Sequence, residues 1–208
     1  STRICADFRR LNKLTRRDAY PLVRIQDSLN ALYGAEFLSS MDLKDAYFNI
    51  PLTKESRKFT AFATPDGGLY EHTRMCFGLV NAMAEFARFC DDVYGDIKFE
   101  YLLLYVDDAI VYSKTFEEHL QHLREFFART RANGIKLKAS KCHFVVPDVE
   151  FCGISVSKSG IRPPSSKLDP LLKMPIQSKD NLRYFLNAIS YYRAFIPNFA
   201  KRVAPIRE

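Results

Sequence analysis

No stretch of this 208-residue chain approaches the roughly 18 to 20 uninterrupted apolar residues of a membrane-spanning helix, so no membrane partner is expected. The opening Ser-Thr-Arg-Ile-Cys-Ala-Asp-Phe-Arg-Arg has neither a secretory hydrophobic region nor an initiator Met, and the chain reads as a piece of something longer. There is no internal repeat and no low-complexity tract. Cysteine is sparse: five residues, an odd number without metal-ligand spacing, argue against a disulfide framework and for a reduced intracellular protein. Cys142-His143 has no second pair, which leaves zinc without a ligand set.

What is present is enough for a core. At 47% hydrophobic residues the chain can form one domain or two closely joined ones. The formal charge of +7 is uneven: residues 1–104 hold 14 basic and 14 acidic side chains, and residues 105–208 hold 17 and 10. The first 24 residues are themselves basic, through Arg3, Arg9, Arg10, Lys13, Arg16, Arg17 and Arg24. Two basic regions with acidic residues between them suit a polyanion track flanking a metal site, although charge alone equally suits a basic protein with no such partner.

In chain order, residues 2–8 alternate as a short strand, and Ile25, Leu29 and Leu32 recur at helical spacing up to Gly34. Residues 36–43 read as a strand with Asp42 at its C-terminal end. A turn or short helix runs from Leu43 to Pro51. Lys58–Thr64 and Leu69–Arg74 flank Pro65-Asp66-Gly67-Gly68 as a hairpin, and Asn81 caps a helix through Tyr94. A second long helix, 115–132, carries the stripe Phe116, Leu120, Leu123 and Phe127 and ends at Asn133-Gly134. On it His119 and His122 read as solvated neighbours of the stripe. Short strands follow over 135–156, with Pro147-Asp148 as a turn, then a Pro163-Pro164 boundary. A small helical module ends the chain, with Pro170 limiting its first helix and Ser178 capping the next. The succession predicts an α+β fold, an antiparallel sheet with helices on one face and carboxylates on the other.

The carboxylates stand out most at residues 99–113. An apolar run from Tyr101 to Val106 meets Asp107 and Asp108, and a second begins at Ala109. A hairpin with a merely polar turn is one reading. The other is a cation site, because adjacent carboxylates repel unless a cation offsets them. Asp42, 65 residues earlier and also at a strand end, supplies a third carboxylate. If the strands are neighbours, Asp42 and Asp107 can hold two Mg2+ ions about 3.5 to 4 Å apart, which activates an attacking hydroxyl and stabilises a leaving pyrophosphate. Hard oxygen ligands without His or Cys favour magnesium over zinc.

Tyr105-Val106-Asp107-Asp108 resembles the YxDD motif of reverse transcriptases, and its surroundings resemble those of Ty3/gypsy-type retrotransposon and related pararetroviral polymerases. Residues 3–12 are similar to the opening fingers strand of that family, 18–22 to the loop after it, and 41–47 to its first catalytic motif. Phe77-Gly78-Leu79-Val80-Asn81-Ala82 resembles the nucleotide-binding loop. Residues 113–120, 134–142 and 195–200 continue the match.

The resemblance implies a right-hand polymerase: partial fingers over 1–35, palm over 36–57, a fingers hairpin and nucleotide loop over 58–80, palm again over 81–156, and the start of a thumb or connection over 157–208. It implies an RNA-directed DNA polymerase, also DNA-directed, with two Mg2+ ions (Mn2+ as a substitute) on Asp42 and Asp107 and with Asp108 in support. Arg3 would touch the triphosphate, Tyr47 would lie under the sugar and disfavour a 2′-hydroxyl, and Phe77 and Gly78 would line the nucleotide pocket. Lys141 would stand near the leaving pyrophosphate; within the basic run of Arg129, Arg131, Lys136 and Lys138 it also reads as a solvated phosphate-contacting face. Phe151, Cys152 and Gly153 resemble the primer grip. The implied partners are a primed RNA or DNA template, dNTPs, and fused ribonuclease H and integrase domains. The implied setting is the cytoplasmic particle of a retroelement, with the nucleus as the alternative. Relative to the family pattern, the fingers segment before Arg3 is missing and the chain stops where a connection toward ribonuclease H would begin. Cys76 and Met83 replace prolines, Ala87 and Asn49 glutamines, and Cys152 a leucine. These changes suit a slowed enzyme better than a dead one, the alternative function being a nucleic-acid-binding remnant without turnover.

Overall fold

Two short helices, α1 (Arg9–Leu14) and α2 (Ile25–Ala31), precede the first strand in the computed structural model, which describes residues 5–21 and 23–207. The strand expected over residues 2–8 is not found at Cys5–Phe8, where the chain is irregular; its earlier residues, Arg3 among them, lie outside the described residues. Asn12 of α1 explains the departure. Its amide donates to the Gly78 carbonyl at 2.8 Å and accepts from the Val80 amide at 2.9 Å, so this segment clamps a loop instead of extending a sheet.

Strand β1 (Phe37–Asp42) is central. After it come α3 (Lys54–Arg57), β2 (Phe62–Ala63), β3 (Leu69–Tyr70), α4 (Ala82–Tyr94), β4 (Leu102–Tyr105), β5 (Asp108–Ser113), α5 (Phe116–Ala132) and β6 (His143–Val146). The sheet order is β4-β5-β1-β6, antiparallel throughout. The β2–β3 hairpin is shorter than its sequence pattern, because Lys58–Thr60 form a 3-10 turn.

Burial follows from alternation. Met41 pairs with Ala109, which pairs with Leu104; Val111 pairs with Leu102. These five share one buried cluster with Phe86, Cys90 and Tyr94 of α4 and Leu123 and Phe126 of α5. Because strand side chains alternate, Asp42 and Asp108 fall on the face turned away from those helices.

Thr115 and Glu118 form a capping box at the start of α5: the Glu118 amide donates to Thr115 Oγ1 at 3.3 Å, and the Glu118 carboxylate accepts from the Thr115 amide at 3.1 Å. Thr115→Ala is expected to lower unfolding stability by about 1 kcal/mol, read from chemical denaturation, with no loss of helix in the native state. The inward face of α5 is His119, Leu123, Phe126 and Thr130; of the expected stripe Leu123 is buried and Phe127 packs half-buried against the core, while Phe116 and Leu120 are exposed. Phe126 decides the rotation, since its ring stacks on Tyr94 at 5.5 Å while the Tyr94 hydroxyl bonds Thr130 at 2.9 Å.

His119 is therefore fully buried, which corrects the expectation of a solvated histidine. Its Nε2 is 2.7 Å from Ser39 Oγ on β1 and its Nδ1 is 3.0 Å from Ser113 Oγ on β5. Ser39 Oγ also accepts the Val145 amide of β6 at 3.0 Å, so one imidazole joins α5 to three neighbouring strands. His122 bonds the same Ser113 at 2.8 Å and lies parallel on the Tyr101 ring, 3.8 Å between centroids.

The chain divides into compact units after Pro147. Pro147-Asp148 does not close a hairpin. The strand before it belongs to the four-stranded sheet, and the one after it, β7 (Asp148–Phe151), opens a separate sheet with β8 (Ile154–Ser157) and β9 (Gly160–Arg162). In this second unit α6 (Ser165–Leu172), α7 (Lys179–Ser190) and α8 (Phe199–Arg207) follow. Pro170 lies inside α6 and does not end it, while Ser178 caps α7 by accepting the Asn181 amide at 3.1 Å. Among the described residues no helix is long and apolar enough to cross a membrane.

Candidate active site

The β1–β5 register sets Asp42 opposite Asp108, and the Leu43 amide donates to the Asp107 carbonyl at 2.8 Å. The two carboxylate-bearing ends are thus bonded neighbours. The β4–β5 turn is made of Val106 and Asp107, with Val106 at φ 55°. A β-branched residue in the left-handed region is strained by about 1–3 kcal/mol, held here by the ladders on both sides. That strain is spent at the point where Asp107 leaves the sheet.

A cleft of about 360 Å³ opens beside this turn, lined by Asp42, Asp45, Tyr47, Phe77, Asp107, Lys138 and Lys141 among others. Five of the expected site residues therefore converge: Asp42, Asp107, Tyr47, Phe77 and Lys141. Asp108 is paired with Asp42 through the backbone but does not line the cleft. Gly78 adjoins it through Phe77. At φ 92° it occupies a conformation that side chains rarely adopt, and a Cβ there would stand 3.4 Å from the Phe8 ring.

Tyr47 sits on a 3-10 turn, Ala46–Asn49, entered through Asp45 at φ 52°. Its ring meets Phe77 edge-on at 5.4 Å and Phe86 at 5.7 Å, which fixes it as a wall of the cleft. Burial raises the Tyr47 pKa, and the nearby Asp107 charge adds to that.

The basic residues arrive by a route with no local sequence signal. Lys138 donates its amide to the Asp42 carbonyl at 2.9 Å, Lys44 donates to the Lys136 carbonyl at 2.7 Å, and Leu43 bridges Leu137. This pairing delivers Lys141, whose Nζ is 2.6 Å from Asp42 Oδ2. The hydrogen bond to Asp42 raises the Lys141 pKa most, followed by the Asp42 charge, with Asp107 and Asp108 contributing further. Arg129, grouped with Lys141 in the sequence as a phosphate-contacting face, is instead committed to Asp96, Glu125 and the Val93 carbonyl. Asn81 likewise does not cap α4: its amide oxygen accepts the Asp18 amide and its nitrogen donates to the Arg16 carbonyl.

Asp42 and Asp107 suit a hard divalent ion by donor chemistry, and Asp42 already carries a cation, the Lys141 ammonium, on one oxygen. No group of three or more His, Cys, Asp or Glu side chains is gathered at ion-binding distance among the described residues. Phe151, Cys152 and Gly153 lie in the second unit, at the β7–β8 turn.

Residues 1–156 match the family model described as reverse transcriptase (RNA-dependent DNA polymerase). The chain is 35% identical over 205 residues to the Retrovirus-related Pol polyprotein from transposon 297 of Drosophila melanogaster, covering 98% of this chain and 19% of that one. It is 31% identical over 206 residues to the Transposon Tf2-3 polyprotein of Schizosaccharomyces pombe, covering 98% and 15%. The chain thus spans about a fifth or less of these curated relatives. Among solved structures, the foamy viral protease-reverse transcriptase dRH in complex with double-stranded DNA superposes with a TM-score of 0.90 at 26% identity, covering 97% of this chain and 35% of that one. The foamy viral protease-reverse transcriptase in complex with RNA/DNA hybrid gives 0.88 at 26% identity, covering 97% and 27%. With the α+β architecture and the paired aspartate-bearing strand ends, these matches place the chain in the reverse transcriptase family, as a domain related to the Pol polyproteins of Ty3/gypsy-type retrotransposons and retroviruses.

Proposed function

We propose that this chain carries out template-directed DNA synthesis, RNA-directed and also DNA-directed, as the polymerase part of a retroelement Pol protein. The observation that carries the reading is the single cleft holding Asp42, Asp107, Tyr47, Phe77 and Lys141. In the reaction a primer 3′-hydroxyl oxygen bonds to the α-phosphorus of a dNTP as pyrophosphate leaves. Asp42 and Asp107, with Asp108 behind them, would hold two Mg2+ or Mn2+ ions; when bound, such ions supply activation of the attacking oxygen and charge neutralisation on the leaving group. Lys141 is then a cation released from Asp42 toward the leaving phosphates, where a protonated amine can donate a proton.

Fingers are assigned to 1–35 and 58–80, palm to 36–57 and 81–156, and the start of a thumb to 157–208. Arg3 is assigned to the triphosphate, Gly78 to close backbone approach, and Phe151–Gly153 to the primer grip. Nucleic acid as partner is supported by the double-stranded DNA and RNA/DNA hybrid in the foamy viral complexes. Membership of a longer polyprotein is proposed from the Pol relatives, and fusion there to ribonuclease H and integrase, with residence in a cytoplasmic retroelement particle, from the family resemblance.

Tyr47→Val is expected to raise the ribonucleotide to deoxyribonucleotide ratio of kcat/KM about 10- to 100-fold, because a shortened wall no longer excludes a 2′-hydroxyl. Single-nucleotide incorporation with matched rNTP and dNTP checks this.

The deciding experiment is primer extension on an RNA template with dNTPs and Mg2+, repeated after chelation and after metal is restored. Extension that needs template, metal and dNTP supports the polymerase. A chain that retains template-primer but never extends it, under Mg2+ or Mn2+, is the binding remnant instead. The Lys141 contact on Asp42, which occupies one carboxylate oxygen of the site, is what favours that second reading.

A further inference from the structure

The β7–β8 hairpin of the second unit closes through Cys152 and Gly153, at φ 49° and 71°, with Phe151 and Ile154 as the last paired residues. Positive φ at both central positions is the pattern of a type I′ loop. The carbonyls of such central residues lie outside the strand ladder. Here each is taken by a phenol: the Tyr191 hydroxyl donates to the Cys152 carbonyl, and the Tyr192 hydroxyl to the Gly153 carbonyl at 3.2 Å.

The two donors are consecutive residues at the end of α7, with rings perpendicular and 5.1 Å apart. Tyr192 is buried, at 6% exposed, and Tyr191 is 46% exposed. A Cβ on Gly153 would stand at ordinary distance from both side chains, 3.7 Å from the Tyr191 ring and 3.9 Å from the Tyr192 hydroxyl oxygen, so the tyrosines approach the turn without crowding it. Phenylalanine would pack in the same two places. Only the hydroxyls address the turn's carbonyls, and burying a phenol is costly unless its hydroxyl is bonded.

We propose that Tyr191 and Tyr192 are positioning residues that clamp the Cys152-Gly153 turn through its two carbonyls and so fix the edge it presents to a primer terminus. The inference rests on the primer-grip reading of Phe151–Gly153. It gives a task to a tyrosine pair whose sequence fits nucleic-acid contact and helix packing equally well.

The test uses the 1–208 chain and two readouts that need no turnover. The first is amide hydrogen exchange of the peptide containing residues 152–154. The second is disulfide capture of Cys152 by a template-primer whose 3′-terminal nucleotide carries a tethered pyridyl disulfide, the Cys152 thiolate displacing thiopyridone as the protein–primer disulfide forms, the modified cysteine being identified by mass spectrometry. Wild type is expected to be captured at Cys152. The Tyr191→Phe, Tyr192→Phe double variant is expected to lose at least fivefold in capture and to exchange at least fivefold faster there, while retaining template-primer within twofold. Tyr191→Phe alone, at the half-exposed position, is expected to lose at least twofold with an unchanged melting temperature, which keeps the test valid if the double variant unfolds. Unchanged capture and exchange in a folded variant would overturn the clamp and leave the primer grip standing. Capture that falls only in step with retention would also overturn it, reducing the pair to packing. Wild type that is never captured at Cys152 would overturn the primer-grip reading itself, and the clamp's role at a primer with it.

Discussion

Asp42→Asn and Asp107→Asn are each expected to lower nucleotide addition by about 10³-fold or more, equivalent to roughly 4 kcal/mol of transition-state stabilisation. Both residues line the same cleft, and replacing either carboxylate by an amide removes a charge that no neighbour restores. Folding is expected to survive. Asn preserves shape, and the Asp42 partner Lys141 is 57% exposed, so the lost ion pair is worth little. The two variants differ in a second measurement. Mn2+ binding followed by electron paramagnetic resonance is expected to weaken in both, but Asp42→Asn also frees Lys141, whose contact with nucleic acid then adds to the salt dependence of template binding. Full extension activity in either variant would remove the two-aspartate site from the account.

Acidification is expected to loosen the sheet from α5 through His119. Burial lowers the His119 pKa, and the neighbouring His122 lowers it further. The folded state therefore binds its proton less readily than the unfolded chain. In such a case stability is complete above the unfolded value of about 6.5 and is lost as pH falls below it, by up to about 1.4 kcal/mol per pH unit until the folded value is reached. Burial lowers the His122 pKa as well, opposed by the charges of Glu118 and Glu125. His119→Ala is expected to cost about 2–4 kcal/mol at neutral pH, since it opens a cavity and removes one hydrogen-bond partner each from Ser39, which keeps the Val145 amide, and Ser113, which keeps His122. It is also expected to flatten the acid dependence. Urea unfolding at pH 7.5 and pH 5.5 on both proteins checks the two claims, and equal pH slopes would exclude His119 as the sensitive group.

How much of this was legible beforehand depends on the range of the interaction. Asp42 at a strand end, the helix beginning at residue 115 and the apolar strands around Asp107 and Asp108 are local patterns, and each is found where its residues predict. The rotation of α5 is not local. Phe116 and Leu120 are as apolar as Phe126, and it is Tyr94, across the core, that stacks on the face turned inward. His119 followed that rotation into the interior, where serines on two strands make a buried imidazole tolerable. Lys138 and Lys141 reach Asp42 through backbone pairing of 136–138 with 42–44, for which no short-range pattern exists. The role of Asn12 was hidden for the same reason. Pro170 was misleading because a proline inside a short surface helix forfeits few hydrogen bonds.

The strand order has a consequence for how the chain acquires its chemistry during synthesis. Asp42 leaves the ribosome before its partners, since its strand neighbour β5 extends to Ser113 and its ionic partner is Lys141. Loop closure over such separations is slow, and none of it can begin until those residues have been made. A nascent chain can form α2 and much of α4 as local structure while the Asp42 segment still waits for β5 and β6. The cleft lined by Asp42 and Asp107 is thus a late product of folding, and a polypeptide interrupted before Ser113 leaves β1 without its neighbours β5 and β6.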